Sequence, residues 1–421
     1  MGWNLKNIIT CIEFGSSKIA ALHGSFDKGG NPEVIGFAQL PSEGSISKGE
    51  IVDRAKAAEL LKKVLELADK SAGTLINRKR CFCCISGSSF SSLQGEGNVM
   101  IYNEDHLVKK EHIREAVDKA EKVLISPEKI KVNCLDSFFV LDSHTRVADP
   151  LGYSGTRLDA ALHIITADRN RVDTFRTLLQ EGGFEHEVHC VFSCVGSCFA
   201  ALRKEEKEKG VLLLDMGSNL TEYMLVHREG VLGSGVIPVG MDHLANDLSI
   251  GLELGIENCR KFLQKNILNN APGAYVEFPG GNGNSRKAIP LTSFERIIHA
   301  RLSELFSLVR MELSAGNLLP FAESGCVLTG GGALFTPCRE LLRDTLGLPV
   351  RAGGILDVSG VMSGLEPICR YSALLGVFKF AVEQEEYREK DTGFGKMGDA
   401  LEDFGDKIMQ KVKGVTKVLN I

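Results

Sequence analysis

The sequence has no uninterrupted apolar stretch approaching the ~20 residues that cross a bilayer. It also lacks a basic excess: 49 Lys and Arg stand against 54 Asp and Glu, a formal charge of -5. Nucleic-acid binding works by neutralising phosphates and needs the opposite balance, so no nucleic acid is expected as a partner. The opening, MGWNLKNIITCIEFG, has one early Lys and then a strand-like run carrying Glu13, which excludes a secretion signal. Its Met-Gly start lacks the Ser or Thr that an acylation motif would place at Lys6. The one C-x-x-C, Cys81 to Cys84, has no second pair, so a zinc ribbon is unsupported. Cys190, Cys194 and Cys198 recur every four residues beside His189; a helix would line them up as a metal site wants, or bury them as small hydrophobes. His residues are dispersed, and nothing resembles a Ser-His-Asp set. A reducing, cytosolic setting fits all twelve cysteines.

What is present is an ordinary globular composition, 43% hydrophobic and 24% charged, over 421 residues. At ~150 residues per domain that length suggests two or three domains. Residues 7–39 read as three strands, IITCIEFG, SSKIAALHG and EVIGFAQL. Residues 54–72 have apolar positions at helical spacing, an amphipathic helix. Strands dominate residues 80–166, broken by one helix near 111–124, and a helix follows at 172–181. Further helices are expected at 241–252, 256–265, 336–345 and 367–386, with a loop and one strand across 269–288. A helix over 292–316 is expected to open on a capping box, Thr292 with Glu295.

The stretch VLLLDMGSNLTEYMLV at 211–226 repeats the first strand-turn-strand unit. Glu13-Phe14-Gly15-Ser16-Ser17 matches Asp215-Met216-Gly217-Ser218-Asn219, an acid closing a buried strand and then Gly with small polar residues. Such internal similarity implies two related α/β halves. A turn of this kind points successive backbone N–H groups at an anion. Two of them can close on a polyphosphate while Glu13 and Asp215 hold Mg²⁺ through its retained waters. Lys18, Ser16, Ser17 and Asn219 supply further donors. Thr329-Gly330-Gly331-Gly332, after a strand and before a helix, lets the backbone pass close to a nucleotide.

In that order, the three elements resemble the actin, Hsp70 and sugar-kinase superfamily, and within it the FtsA family of bacterial division proteins. The segments ADPLGYSGTRLDAALHIITA, GVIPVGMDHLANDLSIGL and FERIIHARLSELFSLV carry the closer resemblance. It implies an α/β, actin-like (ASKHA) two-lobed fold with duplicated ribonuclease-H-like halves and an FtsA-type inserted subdomain. The implied division is 1–85 and 167–205 for the first lobe, 86–166 for the insertion and 206–382 for the second lobe with its peptide-binding subdomain. A flexible acidic linker at 383–403 and an amphipathic membrane helix at 404–421 follow. The implied cofactors are ATP and Mg²⁺, with Gly240 joining the residues above. There are departures from the family pattern. Glu13 replaces Asp, Ser218 and Asn219 replace glycines, Met241 replaces a Gly, and Arg260 stands where a ribose-contacting Glu is expected. Together they imply a cleft that binds ATP but hydrolyses it slowly or not at all.

The end of the chain changes sign. Acids predominate over 383–403, then Lys407, Lys411, Lys413 and Lys417 face Asp406 alone. Leu401, Phe404, Ile408, Val412, Val415 and Leu419 fall on one helical face, the pattern of a helix lying on an anionic membrane. Docking onto its own domain or onto a partner is the alternative. On the 292–316 helix, Arg301 and Glu304 match polar contacts of the family's groove for the C-terminal peptide of the tubulin-like FtsZ, or else are an ordinary solvated face. The resemblance thus implies an adaptor that tethers FtsZ filaments to the cytoplasmic face of the membrane at the division site, self-associates into actin-like filaments and recruits other divisome proteins. The alternatives are a PilM-like peptide-binding scaffold and a small-molecule kinase.

Overall fold

The computed structural model describes residues 8–26, 30–184, 187–228, 230–266, 274–279, 286–354, 357–360 and 363–394. The first strands, β1 (Ile9–Phe14), β2 (Lys18–Phe26) and β3 (Pro32–Pro41), are mostly buried on both faces. Near-continuous apolar runs are what strands need when helices cover both sides of their sheet. A short pair, β4 (Ile46–Ser47) and β5 (Glu50–Ile51), leads into α1 (Arg54–Ala72). That helix follows from its residues: Leu60, Leu61, Val64, Leu65 and Ala68 make the buried stripe, and Asp53 caps it by accepting from the Lys56 N–H. Gly73 ends it at φ 70°, the left-handed region where a side chain is costly. β6 (Arg80–Ile85) then pairs in parallel with β1.

Between β6 and the rest of this lobe lies an inserted unit: β7 (Ser91–Met100), α2 (Lys110–Glu121), β8 (Lys129–Leu141), β9 (Thr145–Val147) and β10 (Arg157–Asp168). Its antiparallel sheet, ordered β7-β10-β8-β9, has its own core with α2, built on Ile113, Val117, Leu158 and Ile164. α3 (Arg169–Glu181), β11 (Glu187–Phe192) and α4 (Ser193–Ala201) return the chain to the first sheet.

After α5 (Lys204–Lys209) the second lobe repeats the plan with β12 (Val211–Met216), β13 (Thr221–His227) and β14 (Gly230–Ile237). α6 (Met241–Leu252), α7 (Ile256–Lys265), a hairpin of β15 (Tyr275–Pro279) and β16 (Arg286–Pro290), and α8 (Leu291–Ala315) follow. The described chain closes with β17 (Cys326–Thr329), α9 (Thr336–Leu346), β18 (Val350–Ala352), β19 (Ser359–Gly360) and α10 (Ser372–Phe394). The second sheet runs β14-β13-β12-β17-β18; the first runs β3-β2-β1-β6-β11 in the matching order, with β19 added beside β3.

The two sheets share a core. α4 and α10 lie between them, where Val195, Cys198, Phe199, Leu374, Phe378 and Ala381 pack with Leu22 and Phe82 of one sheet and Val211 and Met224 of the other. α4 is buried all round, so its sequence SCVGSCFAA shows no polar stripe. α1 and α3 cover the outer face of the first sheet, and α6, α8 and α9 that of the second.

Four local expectations change. α8 starts at Leu291 with Pro290 at its N-cap, so Thr292 lies inside the first turn and the capping box does not form. The proline supplies a fixed φ of -58° at the end of β16, and the Leu291 N–H is taken by the Ala274 carbonyl. The loop read with one strand is a two-stranded hairpin. Cys190 lies on β11, while Cys194 and Cys198 lie on α4 in a separate core, so the three make no stripe. Finally, α10 continues through Phe394, making helix of the first part of the segment read as a flexible linker. The rest of that segment and the membrane-facing set Phe404, Ile408, Lys411, Val412, Val415, Lys417 and Leu419 lie outside the described residues.

Candidate functional site

The two repeated hairpins close their turns with the same hydrogen bond. The Gly15 N–H donates to the Lys18 carbonyl at 2.9 Å, and the Gly217 N–H to the Leu220 carbonyl at 2.9 Å. Glu13 and Asp215 therefore end their strands at equivalent places, each one residue before the apolar partner that anchors the turn, Phe14 or Met216. The carbonyls of Ser16 and Ser17 are held by Ser42, through its hydroxyl and its N–H respectively. The carbonyls of Gly217 and Ser218 accept from the Met241 and Asp242 N–H groups at 3.0 and 2.7 Å. The start of α6 thus braces the second turn, and Gly240 allows it: a Cβ there would stand 2.6 Å from the Gly217 carbonyl oxygen.

Gly330 meets the same place from β17. It adopts φ 77°, and an added Cβ would lie 2.3 Å from Asp215 Oδ1. Its N–H donates to the Cys369 carbonyl at 3.1 Å. Gly332 presses on Met216, whereas Gly331 faces open space. Asn219 turns toward the other lobe, accepting from the Lys48 N–H at 3.4 Å, and reaches Asp242 at 3.4 Å. Arg260 pairs with Asp242 at 3.0 Å and Glu257 at 2.5 Å, directing its charge back onto α6 and α7.

A residue of the second hairpin that the sequence pattern does not single out joins these acids. β12 and β13 pair Asp215 with Glu222, and Glu222 is only 5% exposed. Ser86 donates its hydroxyl to Glu222, and Ser197 on α4 donates to Asp215 at 2.5 Å. Lys18 binds Glu13 Oε1 at 2.7 Å and the Arg370 carbonyl at 3.1 Å, with the Tyr371 ring centroid 5.1 Å away. Burial pushes the Asp215 carboxyl up to about 6; Ser197 and Lys18 pull it down and Glu13 pushes it further up. Burial also holds Glu222 well above the usual carboxylate range, with Asp215 and Glu13 adding to the effect and Ser86 opposing it.

Glu13 Oε2 and Glu222 Oε2 are buried without a hydrogen-bond partner. Burial leaves these carboxyls short of partners for their ionised forms, and orphaned carboxylate oxygens are costly. A hydrated divalent cation fits that deficit. Among the described residues no group of three or more His, Cys, Asp and Glu could hold a metal ion. A Mg²⁺ ion that keeps several waters needs only one or two carboxylates, the number Glu13 and Asp215 would supply.

The structure brings together Glu13, Gly15, Ser16, Ser17, Lys18, Asp215, Gly217, Ser218, Asn219, Gly240 and Gly330–Gly332. Arg301 and Glu304 lie elsewhere, on α8. Arg301 is engaged within the fold, its Nε and Nη2 on Asp247 at 2.5 and 3.0 Å and its Nη1 on Glu304 at 2.6 Å. Glu304 is 59% exposed. No helix among the described residues is long and apolar enough to cross a membrane.

Two family models match: "SHS2 domain inserted in FTSA" over residues 87–166 and "Cell division protein FtsA" over residues 212–366, together more than half of the chain. Among curated proteins, FtsA of Pseudomonas aeruginosa is 26% identical over 383 residues, 90% of each chain. FtsA of Borreliella burgdorferi is 25% identical over 422 residues, covering 97% of this chain and 98% of its own. Among solved structures, a PilM-PilN type IV pilus biogenesis complex has TM-score 0.62 at 16% identity, covering 89% of this chain and 98% of that chain. MreB5 of Spiroplasma citri bound to AMPPNP has TM-score 0.54 at 12% identity, covering 92% and 99%. At such identities these structures establish the actin-like fold alone. With the duplicated sheets, the inserted unit and the relatives taken together, the chain belongs to the FtsA family of cell division proteins.

Proposed function

We propose that this chain is a division adaptor that binds ATP with Mg²⁺ between its lobes, holds the C-terminal peptide of FtsZ on the α8 side of the second lobe, and rests on the cytoplasmic face of the membrane through residues 404–421. The observation that supports the nucleotide reading is the pair of matching turns whose acids, Glu13 and Asp215, end equivalent strands close enough that Glu13 raises the proton affinity of Asp215, with orphaned carboxylate oxygen beside them. Glu13 and Asp215 would hold Mg²⁺, which supplies charge neutralisation for the phosphates. Ser16, Ser17, Ser218, Asn219 and the 330–332 turn approach the phosphates, and Lys18 adds a donor. Ser218 and Asn219, where the family carries glycine, narrow the second turn, which supports slow hydrolysis or none. ATP then acts by clamping the lobes and favouring self-association into filaments, a shift of population rather than metabolism. Recruitment of other divisome proteins follows from the family.

The test is co-sedimentation of full-length protein with anionic liposomes against a chain ending near Glu389, with and without an FtsZ tail peptide. Full-length protein pelleting with the peptide, and loss of pelleting on truncation, is the expected outcome. Equal pelleting of both removes the anchor, and failure to carry the peptide down removes the adaptor role. Isothermal titration with Mg²⁺-ATP, which should give binding with little turnover, tests the cleft independently.

A further inference from the structure

The root of the inserted subdomain reaches into the cleft. Ser86, one residue before the SHS2 match begins, donates to Glu222. Beside it, Gly49 packs so closely that a Cβ would lie 2.5 Å from the Ser86 carbonyl oxygen, and neighbouring Lys48 donates to Asn219 of the second turn. A second attachment follows at once. Ser92 on β7 donates to the Ser234 carbonyl at 3.0 Å, and buried His163 on β10 meets the Ser234 hydroxyl at 2.7 Å through Nε2. Ser234 lies on β14, which pairs with β13, the strand that carries Glu222. Both of these attachments therefore end on the strand pair that bears Glu222, while others, such as the Phe192 N–H on Asn133, run to the first lobe.

We infer that Glu222 is a positioning residue through which occupancy of the cleft sets the hold on the inserted subdomain, with Ser86 as its partner. This rests on reading the cleft as a site for a nucleotide and its cation. One Glu222 oxygen is bound to Ser86 and the other has no partner. A cation in the cleft draws that carboxylate toward itself and away from the Ser86 hydroxyl. The two then compete for one group, so each weakens the other, and the coupling is reciprocal.

The experiment uses the full chain, Ser86→Ala and Glu222→Gln, with Mg²⁺-ATP affinity by titration calorimetry and hydrogen–deuterium exchange over residues 86–100. Mg²⁺-ATP should raise exchange at residues 86–92 of the unaltered protein. Ser86→Ala should show that raised exchange without nucleotide and bind Mg²⁺-ATP about 5-fold more tightly. Glu222→Gln still accepts from Ser86 but draws a cation less, so its exchange should not respond to Mg²⁺-ATP. If the unaltered protein binds Mg²⁺-ATP with no change at residues 86–92, or Ser86→Ala binds with unaltered affinity, the inference is overturned and the nucleotide reading stands. If the unaltered protein binds no nucleotide, both are overturned.

Discussion

Replacing Gly376 by Ala tests whether the two helices between the lobes cross as closely as described. A Cβ at Gly376 would stand 1.6 Å from the Gly196 carbonyl oxygen and 2.4 Å from its carbon, and one at Gly196 would stand 2.4 Å from the Ala373 carbonyl. The obstacle is backbone in each case, with no side-chain tip to swing aside, so α4 and α10 must part by more than an ångström. Overpacking of this kind costs about 1–3 kcal/mol, and a backbone wall puts it at the upper end. Ala in a helix interior returns about 1 kcal/mol relative to Gly. The net loss is about 2 kcal/mol, a fall in melting temperature of roughly 4–8 °C for a domain of 150–250 residues. Because α4 carries Ser197, whose hydroxyl binds Asp215, nucleotide affinity should fall with it. Gly251→Ala on α6 is the control: its Cβ would meet only the end of the Ile297 side chain, at 2.8 Å, so the protein should melt no lower than the unaltered one. Scanning fluorimetry of the three proteins decides it. Gly376→Ala melting at or above the unaltered protein would refute the close crossing.

Stability of the ligand-free protein should fall as pH rises from about 4 to about 6.5. Asp215 titrates near 6 in the folded chain against an ordinary 3.8, so the folded state holds the proton more tightly; the contribution is complete below 3.8 and lost above 6. Denaturation midpoints across that range check this, and a profile that keeps its slope in Asp215→Asn assigns the effect elsewhere. Asp69→Asn should cost about 3 kcal/mol in urea denaturation, because it strands Arg78, 2.8 Å from Asp69, and weakens the contact with fully buried His23. Burial pushes Asp69 up, but His23, Arg78 and the Ile76 N–H more than offset it, so this stabilisation is present at neutral pH and lost as acid protonates the carboxyl. Arg301→Ala should lower stability by at most about 1 kcal/mol, since its pair with Asp247 is partly exposed, and weaken peptide binding. Glu304→Ala should leave the melting temperature unchanged and weaken FtsZ-peptide binding alone, measured by fluorescence anisotropy.

Many local patterns were legible because their cause is local. The apolar spacing of residues 54–72, with Asp53 before and Gly73 after, sets both ends of α1, since period and caps act within one turn. The paired acid-turn motifs were readable because a buried strand ending in a carboxylate and then Gly is a short-range signal, and it occurs twice. Thr292 misled because the capping pattern ignores Pro290, which occupies the N-cap. Glu222 looked like an ordinary strand residue; its importance comes from the β12–β13 register that sets it opposite Asp215. Ser86, Ser197 and Lys48 gained roles the same way, from partners 136, 18 and 171 positions distant. Sequence by itself determined the repeated units, most of the helices and the paired acid-glycine turns, because backbone preference and hydrophobic period act over a few residues. The tertiary structure alone decided which carboxylates come together, how closely α4 crosses α10, and that Arg301 is tied to Asp247, because those outcomes depend on packing between segments that meet only once the sheets have assembled.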